Sequence, residues 1–388
     1  FSVAVHVILS GTLLVCIGAT AIFFLNIPGL ENCYLIFLVI MYFTSAVSNT
    51  VSLFCRGIDK VNVMVMGSIL NSVVTLSSNI LFLAGFHWGL TGYLIANSLG
   101  SAVALIWCFI GAKLYQYIEF DVPKSVKADM IQFSFPLIFS VIAWWINNAS
   151  DRYILTWMSG VAVSGLYAIS YKIPNILSMF QNIFAQAWSI SAIKEFDKND
   201  SDGFISGMYN MMNFAMTAIC SGIMIMNIPV ARFLYSNEFF LAWKYVPPLL
   251  ISVVFNAMAL FIGSIFTAVK DTKTLSISTI VGAAINTVCN VVLIHFMGAY
   301  GAALATMLGY ATVLIMRHII LRKHVRMNIK WNRDITVYIL LVAQMMVAAV
   351  GVKSIVIQVL FLVIIVVLFK NELESFLKMV KKLTIKRV

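Results

Sequence analysis

Three ionisable side chains, Asp151, Arg152 and Lys172, stand inside stretches otherwise apolar enough to cross a lipid bilayer. Lys172 falls in GLYAISYKIPN, Gly165 to Asn175, two residues before Pro174. Proline has no backbone N–H to give, so a helix through this stretch leaves the Ser170 carbonyl without its partner and bends beside the lysine. A free carbonyl and a cation then share one bend. On a helical wheel the span Val163–Ile190 sets Ser164, Tyr167, Tyr171, Asn175, Ser178, Asn182 and Ser189 on one narrow face, with Gln186 at its margin and Lys172 beside it. The preceding span, Ile131–Trp157, does likewise with Ser140, Trp144, Asn147, Asn148 and Asp151, and Arg152 sits at its edge. A cation at mid-depth among phenols and amides suits a phosphate or pyrophosphate group, while amides and aromatic faces suit sugar hydroxyls and sugar rings. Lys172, Arg152, Tyr167, Tyr171, Asn175, Asn182, Asn148 and Trp144 are therefore the candidate substrate-binding residues. Asp151 is the one acidic residue that these boundaries place inside a span, and it is the candidate for coupling transport to an ion.

Each of these readings has a plainer rival. Polar seams in membrane helices also serve as glue between helices, and long cationic side chains snorkel toward the interface, Arg152 more readily because it lies nearer a helix end. Asp151 equally suits the neutralisation of a cation on a neighbouring helix.

The elements that carry these seams follow from composition: 61% of residues are hydrophobic, 11% are charged and mean hydropathy is +0.96. Repeated apolar runs separated by short polar connectors make this an all-α polytopic membrane protein rather than a barrel, whose strands would alternate at every second residue. The expected spans are Ser2–Leu25, Cys33–Cys55, Val61–Gly85, Leu90–Tyr115, Ile131–Trp157, Val163–Ile190, Phe204–Ile228, Trp243–Val269, Thr274–Met297, Gly301–Leu321, Ile335–Val352 and Ile355–Phe369. That is about twelve helices. One set of connectors holds Arg56, Lys60, Lys113, Lys124, Lys127, Lys194, Lys198, Lys270, Lys273 and the segment from Arg317 to Arg333, with Lys370 to Arg387 in the tail. The opposite connectors hold little beyond Arg232, Lys244 and Lys353, so the first set and the tail face the cytoplasm. The formal charge of +11 is mainly this topology signal, and because it is spread over one membrane face it does not indicate nucleic acid as a partner. Anionic lipid headgroups suit the basic tail.

Several chemistries are not indicated. The six cysteines are scattered through apolar runs with no C-x-x-C spacing, and the histidines lie at span ends or alone, so neither a metal site, a disulfide framework nor a cofactor is expected. No G-x4-G-K-[ST] occurs, and no catalytic cluster gathers in the short connectors, so the chain is expected not to be an enzyme.

Two segments about 210 residues apart repeat their punctuation. Gly89-x2-Gly92-x7-Gly100 matches Gly298-x2-Gly301-x7-Gly309, RGIDK (Arg56–Lys60) falls where AVKDTK (Ala268–Lys273) falls, and Asn26-Ile27-Pro28 corresponds to Asn227-Ile228-Pro229. An even number of spans separates the matches, so the repeats run in the same sense, as halves related by a pseudo-twofold along the membrane normal. The expected division is an N-lobe of four helices at 1–115, a cytoplasmic linker at 116–130, a C-lobe of six helices at 131–325, and an added hairpin with a basic cytoplasmic tail at 326–388. The second lobe has two helices before its Asn-Ile-Pro landmark helix and the first has none, so two further helices are expected ahead of Phe1, which is not an initiator Met.

The phrase DRYILTWMSGVAVSGLYAISYKIPNILSMFQNIFAQAWSISAIKEF, Asp151 to Phe196, resembles the polysaccharide and O-antigen flippases (Wzx type) of the multidrug/oligosaccharidyl-lipid/polysaccharide (MOP) exporter superfamily. Its DRYIL, GLY…YKIP and AW…SAIKEF pieces carry the likeness at motif level, and helix order and repeat carry it over the rest. The resemblance implies a multi-pass protein of the bacterial cytoplasmic membrane, with V-shaped lobes around a cationic cavity. It would flip an undecaprenyl-pyrophosphate-linked oligosaccharide by alternating access for O-antigen, lipopolysaccharide or capsule assembly. Membrane lipids and a polysaccharide polymerase with other assembly proteins are the implied partners. The alternative within the superfamily is a MATE-type drug/cation antiporter, which would be expected to set carboxylates in its cavity; here the intramembrane balance is basic or neutral.

Overall fold

The computed structural model describes residues 2–25, 32–117, 123–235, 237–349 and 355–374. Asn26-Ile27-Pro28, Lys353 and the tail from Lys378 to Arg387 lie outside the described residues. Among the described residues there is no strand. The α-helices are α1 Ser2–Leu25, α2 Asn32–Gly57, α3 Val61–Asn79, α4 Gly89–Gly111, α5 Lys124–Ser159, α6 Val161–Ser170, α7 Lys172–Lys194, α8 Phe204–Leu234, α9 Val246–Ala268, α10 Thr272–Met297, α11 Ala299–Leu321, α12 Trp331–Ala348 and α13 Ile355–Leu368. A π turn, Ile80–Gly85, extends α3, and a 3-10 segment, Asn237–Tyr245, leads into α9.

Among the described residues nine helices are long and apolar enough to cross a membrane, which makes this a multi-pass membrane protein. The expected count of twelve differs for reasons visible in the sequence. The span expected at Val163–Ile190 breaks after Ser170 into α6 and α7, α13 has only 14 residues, and α12 opens with Arg333 and Asp334. Asp334 therefore joins Asp151 as an acidic residue inside a helix, where the sequence boundary at Ile335 had excluded it.

The chain forms two compact units, Phe1–Met130 and Ile131–Val388. In the first, α4 packs on α2 and α3, and Val51, Cys55, Cys108 and Leu114 are buried together at one end of the contact. In the second, α9 is the central helix, packed by α7, α8 and α11, while α10 lies on α11 and α13 lies on α8. Having neighbours on most sides, α9 is apolar nearly all round, and Leu250, Ile251, Val254, Met258, Ile262 and Ile265 are wholly buried.

The repeated punctuation has matching local geometry in each unit. Two residues past the end of α2, Asp59 has φ +60°, and two residues past the end of α9, Lys270 has φ +61°. The next N–H in each case closes a six-residue turn: Lys60 donates to the Cys55 carbonyl at 2.8 Å and Asp271 to the Phe266 carbonyl at 2.8 Å. Gly89 and Gly298 sit at φ +56° and +57°, a conformation that favours glycine, ahead of α4 and α11. The later glycines of each set are close-approach positions. A Cβ on Gly100 would lie 2.0 Å from Thr75 Oγ1 on α3, and one on Gly309 would lie 2.8 Å from Asn286 Cβ on α10.

Candidate functional site

The polar residues of α5 and α6 converge on Asp151, which is wholly buried. Its Oδ1 accepts a bond from Asn290 Nδ2 of α10. Its Oδ2 accepts from the Thr306 hydroxyl of α11 and the Tyr167 hydroxyl of α6 at 3.0 Å, with Tyr171 OH farther off at 3.4 Å. Around this core Ser150 donates to Asn286 Oδ1 at 3.1 Å, and Asn290 Nδ2 also reaches Asn286 Oδ1 at 3.1 Å. The helices approach closely enough because Gly309 opposes Asn286, so the repeated glycine positions the site.

Every partner of this carboxyl group is neutral. No Lys, Arg or His among the described residues forms a salt bridge with Asp151. A bare buried carboxylate would cost several kcal/mol, and the proton count at Thr306 points to how it is compensated. Its single hydroxyl proton faces two acceptors, Asp151 Oδ2 and the Ala302 carbonyl at 3.1 Å. If the carboxyl carries a proton, Asp151 donates to Thr306, which donates on to Ala302, and both oxygens are served. Buried oxygens of Asn147 and Asn290 have no hydrogen-bond partner, the Asn290 amide turning its NH2 toward Asp151. The site is thus a buried carboxyl group held by neutral donors from α6, α10 and α11. No cluster of three or more His, Cys, Asp or Glu side chains suited to a metal ion is present among the described residues.

The other seam residues divide at the break between α6 and α7. Ser164 and Tyr167 are buried and Tyr171 is half-buried, whereas Asn175, Asn182 and Gln186 are exposed and Ser178 and Ser189 are half-buried. One continuous face was expected, but the break ends it, because α7 buries the side marked by Ile173, Pro174, Leu177, Gln181 and Trp188 instead. The carbonyl of Ser170 faces the Tyr235 hydroxyl at 3.4 Å, so the group expected to be free has a distant donor. Lys172 opens α7 with its side chain exposed. Arg152 is exposed too, its guanidinium 5.7 Å from the centre of the Tyr171 ring. On α5, Asn147 is buried toward the cluster, while Trp144 and Asn148 point outward.

Sequence reading did not select Asn286, Asn290 and Thr306 as site residues. The available signal was the pair Asn286 and Asn290, four residues apart on one face of an otherwise apolar helix and just before the repeated glycines.

The second unit is thus a helical bundle with a buried polar cluster around Asp151. Residues 1–190 match the family model described as "Polysaccharide biosynthesis protein". The chain is 25% identical over 327 residues to the lipid II flippase MurJ of Bacillus subtilis (strain 168), covering 73% of this chain and 57% of that protein. It therefore spans little more than half the length of this curated relative. Among solved structures, lipid II flippase MurJ in an inward closed conformation superposes with TM-score 0.60 at 14% identity, over 97% of this chain and 84% of that one. MATE in its bent conformation gives 0.67 at 12% identity, over 88% and 80%. A MOP superfamily transporter from Pyrococcus furiosus gives 0.66 at 14% identity, over 83% and 78%. These likenesses give the chain a fold of the MATE and MurJ kind, in keeping with the MOP-superfamily resemblance read from the sequence.

Proposed function

We propose that the protein is a flippase that carries a polyprenyl-pyrophosphate-linked oligosaccharide across the bacterial cytoplasmic membrane by alternating access, with one positive charge bound at Asp151 as the coupling event. The observation that carries this reading is the arrangement at the α6–α7 break. The Tyr171 hydroxyl reaches toward the buried Asp151 at 3.4 Å, while exposed Arg152 lies 5.7 Å from its ring and exposed Lys172 is the next residue. Exposed cations suit an anionic cargo. Exposed Trp144, Asn148, Asn175 and Asn182 supply the aromatic face and amides that a sugar requires. The family description and the flippase likeness support the same class of cargo. In this reading the oligosaccharide is a unit of O-antigen or capsule, delivered to a polysaccharide polymerase. A drug/cation antiporter would instead present a carboxylate to its lumen, and here Asp151 is wholly buried.

The test is transport of a fluorescent polyprenyl-pyrophosphate oligosaccharide in proteoliposomes. Lys172→Ala is expected to abolish flipping at unchanged protein level, and Lys172→Arg to keep part of it because charge survives while geometry changes. Full flipping by the alanine variant would return Lys172 to a snorkelling cation and remove the cargo assignment.

A further inference from the structure

Between α11 and α12, which barely touch, runs a groove of about 760 Å³. Its floor is Tyr209, Phe255 and Tyr338, and its walls are the exposed rows Ile315 and Ile319 of α11 and Ile335 and Ile339 of α12. Along α12 it extends from Trp331 to Met346, about 22 Å of helix axis, and along α11 from Ala311 to Arg322, about 16 Å. One leaflet's hydrocarbon is about 15 Å thick, so the groove has the length of an acyl chain lying in one leaflet. Apolar walls alone would accept any chain. The end near the α11–α12 connector is different.

There the Arg322 guanidinium lies 4.9 Å from the centre of the Trp331 ring and forms no salt bridge among the described residues. Beside it, Asp334 is buried, and its Oδ1 accepts two bonds from Arg333 while its Oδ2 has no partner. His318, also at this end, already uses both ring nitrogens, on Tyr209 OH and the Leu314 carbonyl. The unmet valences are therefore one cation and one hydrogen-bond acceptor. An anionic headgroup with a hydroxyl complements both: a phosphate for Arg322 and an O–H for Asp334. The connector that follows carries further Lys and Arg outside the groove, and by that excess this end belongs to the anionic cytoplasmic leaflet.

We propose that this groove holds one anionic phospholipid of the cytoplasmic leaflet, its acyl chain between α11 and α12, its phosphate on Arg322 and its headgroup hydroxyl on Asp334. The site lies within the second unit and is separate from the Asp151 cluster, so it stands whether or not the flippase reading does.

The full chain, purified in detergent with equimolar phosphatidylglycerol and phosphatidylcholine, is examined by native mass spectrometry. Wild type is expected to retain one phosphatidylglycerol in preference. Arg322→Ala should lower that retention about fivefold, the effect of one interfacial cation, and Arg322→Lys should keep most of it. Ala343→Trp, which fills the groove, should lose both lipids, while Arg326→Ala, outside the groove, should match wild type. If Ala343→Trp does not fold, the surface change at Arg322 decides alone. Equal retention of the two lipids by wild type, wild-type retention by Arg322→Ala, or displacement of phosphatidylglycerol by a polyprenyl phosphate would each overturn the proposal, the last by assigning the groove to the cargo.

Discussion

Replacing Asp151 by asparagine separates a coupling site from a structural one, because the cluster contains the means to accept an amide. The asparagine oxygen can take the place of Oδ2 and keep the bonds from Thr306 and Tyr167. Its NH2 would then face Asn290 Nδ2, donor against donor. Asn290, however, has a buried Oδ1 with no partner, and turning its amide over presents that oxygen to the new donor. The turn sacrifices the 3.1 Å bond from Asn290 to Asn286, so Asp151→Asn should cost about 1 kcal/mol of stability, the net value of one hydrogen bond. A charge needed by a partner would cost about 3–5 kcal/mol when removed. The second half of the prediction concerns the bound ion. A ligand at a hundred times its dissociation constant stabilises by about 2.7 kcal/mol, so wild type should melt later either with added Na⁺ or with a lowered pH, and Asp151→Asn should respond to neither. Thermal unfolding in detergent, read beside flipping in proteoliposomes with and without an imposed ion gradient, makes the comparison. A destabilisation above about 3 kcal/mol would refute the amide exchange, and gradient-stimulated flipping by Asp151→Asn would refute coupling outright.

Two further outcomes test groups near the membrane surface. Partial burial opposes ionisation of Asp271, but its bonds from Thr274 at the start of α10 and its pairing with His324 at 3.0 Å hold the carboxyl below its usual range. A lowered folded-state value adds stability that is complete above the unfolded pKa, about 3.9, and is lost as pH falls through the folded one. Asp271→Ala should therefore lose about 1 kcal/mol near neutral pH as a lost cap, with the gap from wild type closing below about pH 4; a gap that widens in acid would contradict the sign. Arg333 donates to Asp334, Glu372 and Asn210 and lies 4.1 Å over the Phe369 ring, joining α12 to α8 and to the end of α13. Arg333→Met leaves the buried Asp334 without its cation, while Glu372 keeps Lys330 at 3.6 Å, and should cost about 3–5 kcal/mol, with Arg333→Lys only partly restoring it, since an ammonium cannot fork. A methionine variant as heat-stable as wild type would remove that role.

The membrane class and the helices were legible because hydropathy acts over twenty residues at a time and every span must satisfy its own backbone. The repeat was legible for a local reason: positive φ and close approach restrict residue choice, so Gly89 and Gly298, and Gly100 and Gly309, stand out in one chain. Asp151, Tyr167 and Tyr171 were selected as polar groups on apolar helices, and they do meet. The break at Tyr171 was half legible. Pro174 announces a disturbance, but a wheel assumes one straight axis and so carried Asn175 and Asn182 onto a face they do not share with Tyr167. Thr306 was hidden because a threonine in a helix bonds its own backbone as readily as a distant carboxylate, and only tertiary contact decides. Asp334 was missed through a boundary of one residue.

On the flippase reading, Tyr171 is a point of thermodynamic linkage. Its hydroxyl lies 3.4 Å from Asp151, its ring lies under Arg152, and its backbone begins the helix that presents Lys172. A charge arriving at Asp151 and an anion arriving at the two cations would therefore bear on the same side chain. Whatever factor the first event imposes on affinity for the second, the second must impose on affinity for the first. On that reading, loading the anionic cargo would change ion affinity at Asp151 by the same factor that the ion imposes on the cargo.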